Sequence, residues 1–353
     1  MSRTKQMQTF QPAPLVEVRR GRLVESRHRG HVVAVEPAGQ VVAQLGAPEM
    51  VTYLRSSAKP FQAMPLVASG AAERFGFDDR EVAIACGSHS GEPLHEETVA
   101  GMLRKIGLDE TALKCGVHEP FNREVANGMR ERGEPFRVLQ NNCSGKHAGL
   151  LATALHLGAP TEAYDQPDSP VQQAIARAVA AFAGVAVAEL AVGVDGCGVP
   201  VFGLSVSAMA LMYARLVAPP AEFGEDVRAA CARIVRAVTT YPELVGGAGE
   251  RLDTEVMRAT RGAVVSKIGA EGVYTAGVRP CPAWPQGLGL ALKIEDGENM
   301  RARPTVVIEA LRQLGVLDAE AHAALAPYAH FDLHNHRGEL VGEVRAAFKL
   351  EKI

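Results

Sequence analysis

The chain is poor in several features, and each scarcity excludes a class of protein. Its formal charge is only −3 over 353 residues, so it lacks the one-signed balance of a basic nucleic-acid binder. With 47% hydrophobic and 22% charged residues, it also lacks the polar excess of a disordered chain. The longest uncharged apolar run, at 199–214, contains Pro200, Gly203, Ser205 and Ser207 and stops at Arg215. It is short for a bilayer span and is expected to form a buried helix. Residues 1–8 are polar and have no apolar h-region, which predicts no secretory signal and a cytoplasmic protein without a membrane partner. Six cysteines, at 86, 115, 143, 197, 231 and 281, lack the dense spacing of a disulfide scaffold and are expected as thiols or metal ligands. Lysine is scarce, nine against 28 arginines, so each lysine asks for a reason.

The length would prorate to two or three average domains, but many α/β enzymes of this size form one unit. A mobile tail is expected over 1–12 and a single catalytic unit over 13–353, with sheet from about 13–55 and 260–353 and a helix-rich middle at about 60–255. Segments 16–18, 23–26, 31–35 and 41–45 are rich in β-branched residues and separated by Gly21, Gly30 and Pro37-Ala38-Gly39, which suggests an antiparallel meander. Segments 330–333 and 340–345, around Asn335-His336-Arg337-Gly338, form a hairpin that could join the same sheet. Between these ends the period is helical. Val99, Met102, Leu103 and Ile106 recur at i, i+3, i+4 and i+7, with Gly107 at the C′ position. Ser169-Pro170-Val171-Gln172 has the pattern of a capping box with proline at N1, and opens a helix ending near Gly184. Val227, Ala230, Cys231, Ile234, Val235 and Val238 mark another helix.

Ser56-Ser57-Ala58-Lys59 is an S-x-x-K motif. One turn of helix puts a hydroxyl beside an amine, and a neutral lysine there could activate the serine for acyl transfer. With 12 serines and nine lysines, about 0.3 such matches arise by chance, and Ser2-Arg3-Thr4-Lys5 in the tail is read as one. The second match follows a strand-like stretch at 50–54 and precedes an apolar segment at 61–68. At such a junction a helix N-terminus offers N–H groups to an oxyanion. Pro60 and Pro65 demand a short or kinked first turn. The plain alternative is a serine N-cap beside a solvated lysine.

A second cluster, Asn141-Asn142-Cys143-Ser144-Gly145-Lys146-His147, runs into apolar residues, and Asp195-Gly196-Cys197-Gly198 places an acid and a thiol among glycines. Cys143 and Cys197 could share a zinc ion, with Lys146 or His147 within reach; two buried free thiols are the alternative. Cys86-Gly87-Ser88-His89 and Cys115-Gly116-Val117-His118 both read C-G-x-H and could form a Cys₂His₂ site, although glycine turns explain them without metal. Ser88 adds a hydroxyl in a polar turn. Ser266-Lys267-Ile268-Gly269 reads as a strand of the K-x-G kind that borders serine acyltransferase sites.

Together these segments resemble the Rhizobium-type, zinc-containing L-asparaginases, also called class 3 or asparaginase II, over about 15–345. The likeness is carried by Arg55-Ser56-Ser57-Ala58-Lys59-Pro60-Phe61-Gln62, Ser88-His89-Ser90-Gly91-Glu92-Pro93, Cys115-Gly116-Val117-His118, Asn142-Cys143-Ser144-Gly145-Lys146-His147-Ala148-Gly149 and Asp195-Gly196-Cys197-Gly198-Val199-Pro200. The resemblance implies an α/β fold like that of serine β-lactamases and glutaminases, with an antiparallel sheet from both chain ends and a helix-rich subdomain. It implies two Ser–Lys pairs, Ser56 with Lys59 and Ser88 with Lys267, and a zinc ion held by Cys143, Lys146 and Cys197. A homodimer is expected from the family alone.

The expected reaction is hydrolysis of L-asparagine to L-aspartate and ammonia, with Ser56 attacking the amide carbon as Lys59 takes its proton. Crowded positive charge from Lys146, Lys267 and zinc, together with burial, would keep Lys59 neutral. Arg55 is the candidate partner for the substrate carboxylate and Asp195 for its amino group, while His147 would orient neighbours. A glutaminase or other Ser–Lys amidase is the nearest rival, because one methylene discriminates by only about 1–3 kcal/mol. A β-lactamase-type activity, a non-catalytic zinc protein and a cysteine hydrolase using Cys143 with His147 are further alternatives.

Overall fold

The structure, a computed structural model, describes residues 11–353. The tail expected over 1–12 therefore lies, for residues 1–10, outside the described residues, as does the chance motif at Ser2 to Lys5. The chain folds as a mixed α/β protein with a large antiparallel sheet and many helices. Its strands are β1 (Ala13–Arg20), β2 (Leu23–Val35), β3 (Val41–Leu45), β4 (Val51–Tyr53), β5 (Ala191–Val194), β6 (Pro200–Ser205), β7 (Val264–Ile268), β8 (Val273–Val278), β9 (Leu288–Ile294), β10 (Phe331–His334), β11 (Leu340–Ala346) and β12 (Glu351–Lys352). The large sheet runs β10-β11-β1-β2-β9-β8-β7, with β3 on β2 and β12 on β3; β4, β6 and β5 form a second, small sheet. The hairpin expected at the C-terminus is present and pairs with β1 through Val344 opposite Val18.

Strand β2 corrects one expectation. Segments 23–26 and 31–35 are one continuous strand, and Gly30 is not a turn. A Cβ at Gly30 would lie 2.0 Å from the Lys293 carbonyl oxygen of β9, so glycine is needed there for close strand approach. From His31 onward β2 is buried on both faces, with Val33 and Val35 packing into a helical core while Val32 and Ala34 face a second core under helix Ala302–Gln313. Each fully buried valine or leucine contributes roughly 1.5–3 kcal/mol.

The uncharged run at 199–214 is also not a single helix. Pro200–Ser205 is the central strand of the small sheet, and helix Val206–Val217 begins only after Ser205, whose hydroxyl accepts from Ala208 N–H at 3.2 Å. A strand covered on both sides and a buried helix are equally apolar, so hydropathy alone does not separate them. The helix at 95–107 appears as Pro93–Lys105, with Val99, Met102, Leu103 and Ile106 buried and Gly107 at φ 72°. Helices Pro170–Ala183 and Glu225–Thr240 form as expected. At Ser169 only half of the capping box is made. The hydroxyl accepts from Gln172 N–H, but the Gln172 side chain turns to the Tyr164 carbonyl.

Candidate active site

Chain direction changes sharply after β4. Arg55 takes a left-handed φ of 52°, rare for a residue with a Cβ, and delivers the chain into a 3₁₀ turn, Arg55–Ala58, and a short helix, Lys59–Gln62. The short first turn demanded by the prolines is thus present. Lys59 lies in the α region, at φ −59° and ψ −39°, even though Pro60 follows it. The same turn leaves Ser56 half-buried and buries Ser57, whose carbonyl accepts from the Tyr213 hydroxyl at 2.7 Å.

The Lys59 amine is 1% exposed and donates to two backbone carbonyls, those of Gly87 at 2.5 Å and Asn142 at 2.9 Å. Among the described residues no hydrogen bond joins it to the Ser56 side chain; the two are linked through the backbone, Lys59 N–H to Ser56 C=O. Burial lowers its pKa, the Cys143 sulfur opposes that shift, and the Lys146 charge reinforces it. Two carbonyl partners match the two hydrogens of a neutral amine and leave its lone pair unused.

Ser88 sits in the turn after helix Asp79–Ala85, where its N–H donates to Val245 C=O at 2.7 Å. A Cβ at the preceding Gly87 would lie 2.6 Å from Leu244 O, so close packing explains that glycine. The Ser88 hydroxyl accepts from Lys267 Nζ at 3.1 Å. Lys267, 1% exposed, comes from β7, the edge strand of the large sheet, and also donates to Asp253 Oδ2 at 3.3 Å and Ile268 O at 3.1 Å. Burial above all lowers Lys267 to about 8; Asp253 opposes the shift, and Lys59 and Arg251 add to it.

Asp253, 0% exposed, was not singled out from the sequence. Neither was Arg251, which donates to Ser88 O at 2.9 Å and to Ser90 Oγ at 2.8 Å. Acids crowd the first turns of helices generally, which hides Asp253 at the start of helix Leu252–Ala259. The available signal was its period, since Val256 and Met257 follow at i+3 and i+4 on the buried face.

Cys143, Lys146 and Cys197 converge from the start of helix Ser144–Leu157 and the tip of the β5–β6 hairpin, all three buried. Lys146 Nζ lies 2.9 Å from Cys197 Sγ. A hydrogen bond with Cys197 holds the Cys143 thiol well below its usual range; burial opposes this, and the Lys59 and Lys146 charges support it. Burial weighs against the Lys146 charge, but the sulfurs of Cys143 and Cys197 outweigh it and push its pKa up. Two sulfurs and an amine meeting in one dry pocket match the donor types zinc takes, provided the lysine gives up its proton. Among the described residues no three His, Cys, Asp or Glu side chains gather as a metal site, at this cluster or elsewhere. The C-G-x-H pairs in particular stay apart: His89 bonds Ser144 Oγ at 2.9 Å, while His118 is exposed against the Glu119 carbonyl. Gly116, at φ 78°, marks a turn.

Arg55 and Asp195 face each other, Nε to Oδ1 at 2.9 Å, and are more open than the lysines, at 28% and 16% exposure. His147 is fully buried, with Nδ1 2.7 Å from the Tyr164 hydroxyl and, among the described residues, no hydrogen-bond partner at Nε2.

An α/β chain that buries one lysine against a serine hydroxyl and a second one turn from another serine has the equipment of an amidohydrolase working by serine and lysine chemistry. The sequence profile of L-asparaginase II matches residues 16–346, and the chain belongs to that family. No curated protein sequence matches it. Similar solved structures include a probable glutaminase from Bacillus subtilis complexed with 6-diazo-5-oxo-L-norleucine, at 10% identity, covering 82% of this chain and 85% of that one with a TM-score of 0.39. Another is a Bacillus glutaminase in the presence of 4.3 M NaCl, at 14% identity, covering 81% of this chain and 91% of that one, also with a TM-score of 0.39. No helix among the described residues is long and apolar enough to cross a membrane.

Proposed function

We propose that the protein hydrolyses L-asparagine to L-aspartate and ammonia through an acyl-enzyme on Ser56. The observation that carries this reading is the Lys59 amine, 1% exposed and held by two neutral carbonyls one turn from an accessible serine. Ser56 Oγ attacks the carboxamide carbon as its proton passes to Lys59; the carbon–nitrogen bond then breaks and ammonia leaves with a proton from Lys59. Water next adds to the ester, giving up its proton to Lys59, and releases aspartate with the hydroxyl restored. The Ser88 hydroxyl, accepting from Lys267, keeps its own hydrogen for the oxyanion.

Arg55 and Asp195 form a cation–anion pair at 2.9 Å, which complements the carboxylate and ammonium of an α-amino acid. Zinc would be held by Cys143, Cys197 and a deprotonated Lys146. When bound, it would supply fixed positive charge and tie the Cys143 and Cys197 loops together.

Ammonia release from L-asparagine and L-glutamine, measured with and without a chelator, tests the proposal. Turnover of asparagine well above glutamine supports it; a preference for glutamine makes the protein a glutaminase, and no release from either amide overturns the enzymatic reading.

A further inference from the structure

We infer that Asp253 is the positioning residue that keeps Lys267 an ammonium donor to the Ser88 hydroxyl. The inference rests on the serine–lysine reading above. Lys267 Nζ has three acceptors, Ser88 Oγ, Asp253 Oδ2 and Ile268 O, at 3.1, 3.3 and 3.1 Å, one for each hydrogen of an ammonium group. Lys59 donates instead to two backbone carbonyls, with the Cys143 sulfur beside it.

The carboxylate is itself held in place. Its Oδ1 accepts from Ile268 N–H at 2.8 Å and from Ser266 Oγ at 3.2 Å, and Ser266 is tied in turn to the Tyr274 hydroxyl at 2.8 Å. Asp253 therefore grips the strand that carries Lys267 on both sides of that residue, at Ser266 and at Ile268. The titratable and charged groups around Lys267 come from three elements. Lys59 lies on the helix that follows Ser56, Cys86 follows helix Asp79–Ala85, and Arg251 and Asp253 flank the start of helix Leu252–Ala259. Cys86 is a neutral thiol, pushed up to about 12 by burial, Lys59 is the amine read above as neutral, and Arg251 is a cation. Asp253 is thus the anion of this set, and without it a lysine at 1% exposure would face the Arg251 charge and dry surroundings. An amine so placed discharges, and a neutral amine is a poor donor to Ser88.

The test is Asp253→Asn, which keeps an acceptor for Ile268 N–H and removes the charge. The alkaline limb of the pH–rate profile for asparagine should move to lower pH by about 1–3 units. At pH 8 the rate should drop roughly tenfold or more and recover in part as the pH is lowered. In lysine-labelled protein, an NMR titration should show the Lys267 signal, assigned by its loss in Lys267→Met, moving the same way. An unmoved limb together with an unmoved Lys267 titration in folded Asp253→Asn overturns the inference, as does a shift to higher pH. If Asp253→Asn fails to fold, Asp253→Glu takes its place. It should hold the limb within a few tenths of a unit of wild type while the plateau rate falls, and a limb displaced by a unit or more would refute control by charge. Wild-type turnover in Lys267→Met would instead sink the underlying role of the Ser88 pair, whatever the titration shows.

Discussion

The two serine–lysine pairs combine the same side chains and differ in how the structure surrounds them. Ser56 and Lys59 are neighbours along the chain, and the amine ends among backbone carbonyls. Ser88 and Lys267 are 179 positions apart, joined directly at 3.1 Å, and the amine carries a carboxylate partner. A lysine buried among neutral dipoles is pressed to lose its proton, whereas one beside an anion is helped to keep it. On the proposed reading, two identical side chains are set to different tasks, one as a base and one as a charged hydrogen-bond donor.

The comparison breaks first at Ser56. Ser56→Ala should cut asparagine turnover by more than about a thousandfold with circular dichroism unchanged; a variant keeping more than about a tenth of the wild-type rate would falsify the nucleophile assignment. Lys59→Met should cost about 10²–10⁴-fold in kcat, since the base is lost while the hydroxyl stays. A loss confined to KM would show that Lys59 only binds substrate. Lys267→Met should cost less, about a hundredfold, because the nucleophile and its base stay in place. In the wild type, the ammonium form of Lys267 exists below its pKa, so the rate should fall as the pH rises through about 8. An alkaline plateau extending past pH 10 would contradict that role as a charged donor. The smallest effect is expected from Cys197→Ser: zinc measured by elemental mass spectrometry should be lost, and KM for asparagine should rise several-fold with kcat changed little. Full zinc retention in this variant would remove Cys197 from the ligand set.

What could be read from the sequence depended on how local each signal was. The S-x-x-K at Ser56 is written within one turn, and the amphipathic helix around Val99 and Met102 repeats its own period. The partnership of Lys267 with Asp253 spans 14 residues and a change from helix to strand, so no spacing rule brings the two together. Gly30 was misread because glycine in a turn and glycine against a neighbouring strand are spelled alike, and only the 2.0 Å approach of Lys293 O distinguishes them. The junction at Ser205 was hidden because a covered strand and a buried helix have the same hydropathy. The sulfur cluster was legible as residues but not as a place, since the local β5–β6 hairpin that carries Cys197 is positioned by the pairing of β6 with β4, far earlier in the chain.

Strand β7 ends the large sheet, and a terminal strand leaves outward N–H groups that need partners. Its residues Val264 to Lys267 are buried, and Asp253 takes up one of those groups by accepting from Ile268, so the side chain that governs a lysine also helps to seal the edge of the sheet. Changes there would bear on the stability of that edge as well as on turnover.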